Sequence, residues 1–274
     1  MQKITLQEAL TTGRGTERSF CCPVHDDSNA SASVNVVKGV WYCYACHAKG
    51  TTEDHVPSPE DVIRVLAGEV PPRTYPETWL DLFDAREPSP YWSQRFGEEV
   101  ASKHRCGTHF ETGVPTYPIR YPNGDLVGVV TRQTEGKSKY LYPSGIRTSG
   151  AFYGEYKPSN VFVLVEGAAD VMAIDQSGIP DGWTILGCFG SGLHMPQIQL
   201  IADYAPKVVI AAFDNDSAGY GAIERAKHQL LDIAPVLSHS WGNVNANDPG
   251  DAPVEQRIES LCATLLDSPY GKYK

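Results

Sequence analysis

The 274 residues of this chain carry 33 acidic and 23 basic side chains, for a formal net charge of −10, and 41% of the residues are hydrophobic. This apolar content is typical of a soluble globular protein, and no apolar run reaches the roughly 20 residues that a membrane-spanning helix needs. The N-terminal sequence MQKITLQEAL contains no hydrophobic secretion signal. We therefore expect a cytoplasmic protein that has no membrane partner.

The acidic surplus is unevenly distributed, which matters because nucleic-acid binding draws on clustered Lys and Arg side chains. Residues 158–274 hold 14 acidic against 6 basic side chains, whereas residues 118–150 hold five basic against two acidic side chains. A basic strip thus precedes an acidic half. Acidic groups gathered around divalent cations can still accept a phosphate substrate, because the cations offset the repulsion.

The cysteines cluster near the N-terminus in a way that suggests metal binding rather than disulfides. Cys22 and His25 form a C-x2-H pair, Cys43 and Cys46 form a C-x2-C pair, and 17 residues lie between the pairs. A tetrahedral zinc ion takes four such ligands from two turns of a small sheet. Binding would stabilise a module that is too small to rely on its own core. Three further side chains remain as alternative ligands: Cys21, His47 and His55.

Strand and helix patterns divide the chain into five segments. A proline-rich stretch with one short amphipathic helix follows the small N-terminal module. Beyond it, helix signals mix with two strand patterns that meet at the turn sequence Asn123-Gly124. From residue 158, buried strands alternate with helices, which indicates a mostly parallel sheet covered by helices. The predicted segments are the zinc-binding domain 1–57, the linker 58–79, a mixed segment 80–157, the alternating segment 158–252, and a C-terminal helix or tail 253–274.

The predicted fold class is therefore α/β. Along the chain, a small zinc-stabilised antiparallel β module comes first, a mixed α+β subdomain second and a parallel-sheet α/β domain third.

Acidic residues follow two of the predicted parallel strands. Glu166 ends the strand VFVLVEG, and Asp214 and Asp216 end VVIAAFDND. The carboxyl ends of parallel strands meet at one edge of a sheet, and residues two apart in extended chain point the same way. Mg²⁺ prefers a few carboxylates together with waters and phosphate oxygens. The pattern therefore predicts a divalent-metal site, although an isolated Asp-x-Asp is equally typical of a turn or a helix cap.

These two constellations, in this order, resemble the bacterial and phage DnaG-type DNA primases over residues 19–252. CPVHDDSNASASVNVVKGVWYCYACHAKG is similar to the CHC2-type zinc-binding domain of that family. VLVEGAADVMAIDQSG and VVIAAFDNDSAG look like the two halves of its Toprim catalytic core, here 158–252. GDLVGVVTRQTEGKSKYLYPSG is similar to the primase-specific N-terminal subdomain of the RNA polymerase core, here 80–157. The third match separates primases from topoisomerases, nucleases and recombination mediators, which also carry Toprim carboxylates.

The resemblance implies a DNA-directed RNA polymerase that joins ribonucleoside triphosphates into short RNA primers on single-stranded DNA by two-metal phosphoryl transfer. It implies zinc and either magnesium or manganese as cofactors, and a replicative helicase or polymerase as a candidate partner. The expected location is the cytoplasm of a bacterium or of a phage-infected host. The residues implied are catalytic Glu166, Asp214 and Asp216; supporting acids Asp170 and Asp248; nucleotide- or template-binding Arg120, Arg132, Lys137 and Lys139; and zinc ligands Cys22, His25, Cys43 and Cys46.

The sequence departs from the family pattern at the metal triplet, where Asn215 stands at a position that usually holds glycine. The short stretch after residue 252 also leaves helicase coupling open, and it is compatible with a phage origin without distinguishing phage from bacterium. Two alternative functions remain: a non-catalytic zinc and Toprim DNA-binding protein of recombination or replication, and a Toprim nuclease. More than 100 residues separate Cys46 from Glu166, which disfavours the first, because recombination mediators carry these elements side by side.

Three aromatic side chains of the small module fit two uses. They can stack on the bases of single-stranded template, or they can form the core of the little sheet. The three are Trp41, Tyr42 and Tyr44.

Overall fold

The computed structural model describes residues 2–4, 17–27, 30–35, 39–52, 74–84, 87–133, 139–142 and 148–273. The chain divides into two compact units between Pro71 and Pro72. None of the helices in the described ranges is both long enough and apolar enough to span a bilayer. The amphipathic helix predicted within the linker lies outside the described residues.

The N-terminal unit is a five-stranded sheet of order β1-β5-β4-β3-β2. Strands β2 to β5 pair antiparallel, as predicted, and β1 adds to β5 in parallel. Alternation along β4 turns Trp41 and Cys43 inward and leaves Tyr42 outward. Trp41 packs edge-to-face on Phe20, with ring centroids 5.7 Å apart. The strands are β1 (Gln2–Ile4), β2 (Glu17–Phe20), β3 (Ala32–Asn35), β4 (Val40–Cys43) and β5 (Lys49–Thr52).

The second unit begins with a mixed segment around a three-stranded antiparallel sheet, β6-β7-β8. The predicted Asn123-Gly124 turn joins β6 to β7: Asn123 Oδ1 accepts a hydrogen bond from the Asp125 N–H at 3.1 Å, and Gly124 has a φ of +88°. A 3₁₀ helix, Glu77–Phe83, packs Leu80 on this hairpin. The other elements are α1 (Pro90–Phe96), α2 (Glu98–Lys103), β6 (Thr116–Arg120), β7 (Leu126–Arg132) and β8 (Tyr140–Leu141).

The rest of the second unit is a four-stranded, fully parallel sheet of order β10-β9-β11-β12, which confirms the predicted fold class. All residues of β9, β10 and β11 are buried, as the near-continuous apolar runs predict. Apolar clusters lie on both faces of the sheet. The elements are β9 (Val161–Val165), α3 (Ala168–Asp175), β10 (Trp183–Gly187), α4 (Met195–Tyr204), β11 (Val208–Ala211), α5 (Ser217–Gln229), β12 (Val236–Ser238) and α6 (Val254–Leu266).

An ion-pair cluster joins the mixed segment to the parallel-sheet domain. The Asp175 carboxylate, at the end of α3, accepts hydrogen bonds from Lys103 Nζ at 2.7 Å and His104 Nε2 at 2.9 Å. The side chain of Asp175 is only 8% exposed. Burial alone would raise the pKa of Asp175, but the hydrogen bonds from His104 and Lys103 and their charges lower it.

We expect Asp175→Asn to destabilise the chain by about 1–3 kcal/mol at pH 7, because it weakens two charge-assisted hydrogen bonds at a buried site. The folded-state pKa of Asp175 lies below its unfolded value, so this stability is present above about pH 4 and is lost as the pH falls through the folded-state pKa. Urea unfolding at pH 7 and at about pH 2 should show a difference in midpoint between wild type and variant that narrows in acid. Asp203→Asn, on the exposed face of α4, is the matched control; equal midpoints for the two variants at pH 7 would refute the role of the cluster.

Candidate functional site

Four cysteine and histidine side chains meet at one end of the N-terminal sheet. The ligand atoms of Cys22, His25, Cys43 and Cys46 all lie within 4.8 Å of one another. The Sγ atoms of Cys22 and Cys46 are 3.6 Å apart, and His25 Nδ1 lies 4.0 Å from Cys43 Sγ. Tetrahedral zinc with Zn–S bonds of about 2.3 Å requires sulfur–sulfur separations of about 3.8 Å. The donor set and its spacing therefore fit a zinc ion.

Hydrogen bonds in this group favour the thiolate form of Cys43, whereas burial raises the pKa of Cys22. Backbone N–H groups of Val24 and Cys46 lie 3.4 Å from the Cys22 and Cys43 sulfurs, respectively. Burial would raise the pKa of Cys43, but hydrogen bonds from backbone N–H groups and the Ser31 hydroxyl outweigh it and lower the pKa to about 6. Because zinc binds the thiolate form, this environment prepares the site for the metal.

Asp27 orders the loop that carries Cys22 and His25. Its Oδ2 accepts hydrogen bonds from the Cys22 N–H at 2.7 Å and from the Ser31 hydroxyl at 2.6 Å. Its Oδ1 lies 4.0 Å from His25 Nε2, the ring nitrogen opposite the one that faces Cys43. A carboxylate on the outer nitrogen of a metal-binding histidine orients the ring. Asp27 was not among the residues predicted from the sequence. The available signal was an acidic residue two positions after the ligand His25.

Two of the three alternative ligands, Cys21 and His47, are not part of this group. Cys21 is exposed, and the His47 ring nitrogen hydrogen-bonds the Tyr42 hydroxyl at 2.6 Å. His55 lies outside the described residues. Of the three aromatic residues, Trp41 lies in the core, whereas Tyr42 and Tyr44 are exposed and pack edge-to-face with centroids 5.3 Å apart.

A second site lies at the carboxyl edge of the parallel sheet. Glu166 follows β9 directly, Asp214 follows β11 by three residues, and Asp170 is the third residue of α3. The charges of Glu166, Asp248 and Asp216 all act on Asp214, so these acids lie within electrostatic range of one another. The structure therefore brings together the predicted catalytic and supporting acids: Glu166, Asp170, Asp214, Asp216 and Asp248.

Burial and the charges of neighbouring acids raise the pKa of three acids in this cluster, Glu166, Asp170 and Asp214. Burial and the charges of its acidic neighbours raise the pKa of Asp214 to about 7. Burial and the charges of Asp214, Asp248 and Glu166 raise the pKa of Asp170 to about 8, against a hydrogen bond from the Gly167 N–H. Burial, Asp216 and Asp248 likewise raise the pKa of Glu166. Such a concentration of charge at a strand edge is typical of a site that takes a multivalent cation.

Two of the acids also have local structural partners. Asp216 Oδ1 caps α5, accepting hydrogen bonds from Ala218 N–H at 2.9 Å and Gly219 N–H at 2.8 Å. Asp248 Oδ1 accepts a turn hydrogen bond from the Asp251 N–H at 2.9 Å. The helix cap that the sequence allowed for the Asp-x-Asp pair is thus present at Asp216, and Asp248 stabilises a turn. Each uses one carboxylate oxygen, and a carboxylate has a second oxygen able to bind a metal.

Gly219 allows α5 to begin directly against the acidic loop. A Cβ at this position would lie 2.0 Å from the Asp214 carbonyl oxygen, which no side chain can tolerate. Only glycine therefore permits this close approach.

A cationic and aromatic group faces the acids from the mixed segment. Arg132, at the end of β7, donates to the Lys139 carbonyl at 3.0 Å and lies 4.9 Å above the Tyr140 ring. Burial raises the pKa of Tyr140 to about 12, although the charges of Arg132 and Arg95 lower it and that of Asp170 raises it. Lys139 lowers the pKa of Asp214. Lys139 therefore lies within electrostatic range of Asp214, and Arg132 contacts Tyr140, which lies within electrostatic range of Asp170.

Arg95, on α1, belongs to the same group and was not predicted. It hydrogen-bonds Tyr91, whose hydroxyl also accepts a hydrogen bond from Arg132 Nε at 3.3 Å. A Cβ on Gly250 would lie 3.0 Å from both Arg95 Nη2 and Asp248 Oδ1, so this guanidinium and this carboxylate flank the same glycine.

The other two predicted basic residues are placed differently. Arg120 lies at the turn end of the β6–β7 hairpin, about 20 Å along the strand from Arg132. Its guanidinium pairs with Glu77 and donates to the Gly124 carbonyl at 2.9 Å. The structure thus does not bring Arg120 to the acids, and Lys137 lies outside the described residues.

Comparison with known proteins finds relatives of both units. A model of the CHC2 zinc finger family matches residues 3–62, and a Toprim-like family model matches residues 163–251. The DNA primase of Helicobacter pylori strain J99 is 50% identical over an alignment of 323 positions, which covers 90% of this chain and 56% of that protein. The DNA primase of Borreliella burgdorferi is 31% identical over 158 residues, covering 53% and 29%, respectively. The chain thus spans 29% to 56% of the length of these relatives.

The fold is also similar to a solved structure. The DnaG catalytic core superimposes with a TM-score of 0.52 at 20% identity, covering 72% of this chain and 85% of that structure. This likeness shows that the second unit has the same fold.

Proposed function

Because the chain is related to the DnaG-type DNA primases, as predicted, we propose that it is a DNA primase, a nucleotidyltransferase that synthesises short RNA primers on single-stranded DNA from ribonucleoside triphosphates. The observation that carries this proposal is the acidic cluster at the sheet edge with Arg95, Arg132 and Tyr140 beside it. Acids alone would fit any Toprim enzyme. The adjacent cationic group supplies contacts for a nucleotide or a template strand.

In this proposal Glu166, Asp214 and Asp216 hold Mg²⁺ or Mn²⁺, and Asp170 and Asp248 support them. The bound cations would lower the barrier for attack of a ribonucleotide 3′-hydroxyl on the α-phosphate of the next nucleotide, with pyrophosphate leaving. The carboxylates position the reactants rather than acting as nucleophiles. Their crowding, visible in the raised pKa of Asp214, supports this role because a divalent cation relieves it.

Arg132, Lys139 and Arg95 would contact the triphosphate or the template backbone. Hydrogen bonds to the Tyr91 hydroxyl and the Lys139 carbonyl hold Arg132 over the Tyr140 ring. Its guanidinium therefore loses little conformational freedom on binding a phosphate. Arg120 and Lys137 remain predicted contacts.

We expect Arg132→Ala to weaken binding of single-stranded DNA or nucleotide by roughly 10- to 100-fold, because a charge-assisted hydrogen bond contributes about 1.5–3 kcal/mol. If the contact is to the template backbone, the slope of log K against log salt should fall by about 0.7. Fluorescence anisotropy at several salt concentrations measures both. Lys207→Ala, which removes a charge just before the amino end of β11, is the control. Equal affinity and slope for both variants would remove Arg132 from the proposed site.

The N-terminal unit would bind zinc through Cys22, His25, Cys43 and Cys46 and read bases of the template. Tyr42 and Tyr44 present exposed rings, the kind of surface on which unstacked bases stack. A replicative helicase or polymerase is a further proposed partner, and the proposed place of work is the cytoplasm, where bacterial or phage DNA is replicated.

One assay tests the proposed function. The chain is incubated with mixed single-stranded DNA, labelled ribonucleotides and Mg²⁺ or Mn²⁺, and the products are resolved by length. Short RNA is the expected product. Cleaved DNA without RNA would favour a nuclease, and DNA binding with neither product would favour a non-catalytic binding protein.

A further inference from the structure

Asn215 lies between the two acids Asp214 and Asp216, and its side-chain oxygen accepts two hydrogen bonds. Its Oδ1 accepts hydrogen bonds from the Tyr220 hydroxyl and from Ser240 Oγ, the latter at 3.1 Å. Tyr220 lies in the first turn of α5, and Ser240 lies in the loop after β12. One amide oxygen therefore joins two separate elements to the loop that carries the acids.

The backbone of Asn215 makes a third connection. Its N–H donates to the Asn247 carbonyl at 2.7 Å, which binds the acidic loop to the segment that carries Asp248. The buried Trp241 donates Nε1 to the Ala212 carbonyl at 3.0 Å and so fixes the loop after β12 to the end of β11. A Cβ on Gly242 would lie 3.0 Å from Asn215 Nδ2, so the loop packs closely against the amide.

These connections oppose a force that the acids themselves create. Asp214, Asp216 and Asp248 lie on two loops, and like charges at short range push such loops apart unless a cation is present. A side chain that cross-links the loops limits this separation. Alanine or glycine at this position could accept neither of the two hydroxyl hydrogen bonds.

We propose that Asn215 is a positioning residue that holds Asp214, Asp216 and Asp248 in register for a shared divalent cation through the hydroxyl groups of Tyr220 and Ser240. The inference rests on the proposed function, because it assumes that these acids bind the catalytic metal. Asn215 itself touches neither the cation nor the substrate.

The test measures Mn²⁺ affinity by electron paramagnetic resonance, without nucleotide or template. Loss of an outer partner of metal-binding side chains typically weakens metal affinity by roughly 10- to 100-fold, and we expect Asn215→Ala to fall in that range. Tyr220→Phe combined with Ser240→Ala should reproduce most of the loss. Adding Asn215→Ala to that double variant should change little further, since all three side chains act through the same hydrogen bonds. Asn243→Ala, an exposed asparagine in the neighbouring loop, is the control.

Thermal unfolding and primer synthesis complete the test. Asn215→Ala with unchanged Mn²⁺ affinity would overturn the inference, whether or not its melting temperature falls, because that result leaves only a structural role. Full additivity with the Tyr220 and Ser240 changes would overturn it as well. A wild-type chain that binds Mn²⁺ tightly, loses that affinity in Asn215→Ala, and makes no RNA would support the inference and refute the proposed primase activity.

Discussion

Asp214→Asn is expected to reduce primer synthesis by at least roughly 100-fold and to leave single-stranded DNA binding largely intact. Asp214 belongs to the acidic cluster, and the charges of Glu166, Asp248 and Asp216 raise its pKa. Asparagine keeps the size of the side chain but removes the charge that a divalent cation needs. Metal ions contribute several kcal/mol of charge stabilisation in such reactions, and each 1.36 kcal/mol corresponds to a factor of ten in rate.

The stability of the variant separates a metal role from misfolding. Because Asp214→Asn removes one charge from a crowded cluster, we expect its melting temperature without divalent cations to equal or exceed that of the wild type. Added Mn²⁺ should then stabilise the wild type more than the variant. Asp232→Asn, an exposed aspartate after α5, should behave as wild type in every measurement. Wild-type primer synthesis by Asp214→Asn would exclude Asp214 from the metal site.

Local sequence signals were sufficient where a site is built from motifs near strand ends. The sequence placed three acids, Glu166, Asp214 and Asp216, at one edge because parallel buried strands align their carboxyl ends. The described sheet is parallel, and the two strands that precede these acids are neighbours in it. The paired C-x2-H and C-x2-C spacing similarly predicted which four side chains meet. In both cases the geometry follows from backbone periodicity over a few residues.

Contacts between segments distant in sequence could not be predicted in the same way. Arg95 reaches the acids from α1, and nothing in its own neighbourhood indicates that destination. Strand β1 pairs in parallel with β5 across more than 40 residues and has only three residues of its own. The use of Trp41 was decidable in principle: it shares a strand face with the buried ligand Cys43 two residues on, so alternation already assigned it to the core.

Cys43→Ser is expected to abolish zinc binding and to unfold the N-terminal unit. Cys43 is fully buried, and its sulfur lies 3.4 Å from both the Cys46 N–H and the Ser31 hydroxyl, so the same atom organises the turn and would bind the metal. The apolar core of this unit is small, with Phe20, Val34 and Trp41 as its main members. Structural zinc contributes about 10–16 kcal/mol to folding in comparable modules, far more than such a core can supply.

Metal analysis and limited proteolysis together measure this outcome. The wild type should carry a single zinc ion, and Cys43→Ser should carry almost none and should be cleaved within residues 17–52, while residues 74–273 resist because their core clusters are separate from that of the N-terminal unit. Cys21→Ser makes the same chemical change at an exposed neighbour and should retain zinc. Loss of zinc in Cys21→Ser would instead make Cys21 a ligand. A protease-resistant N-terminal unit in zinc-free Cys43→Ser would show that the five-stranded sheet folds without its metal.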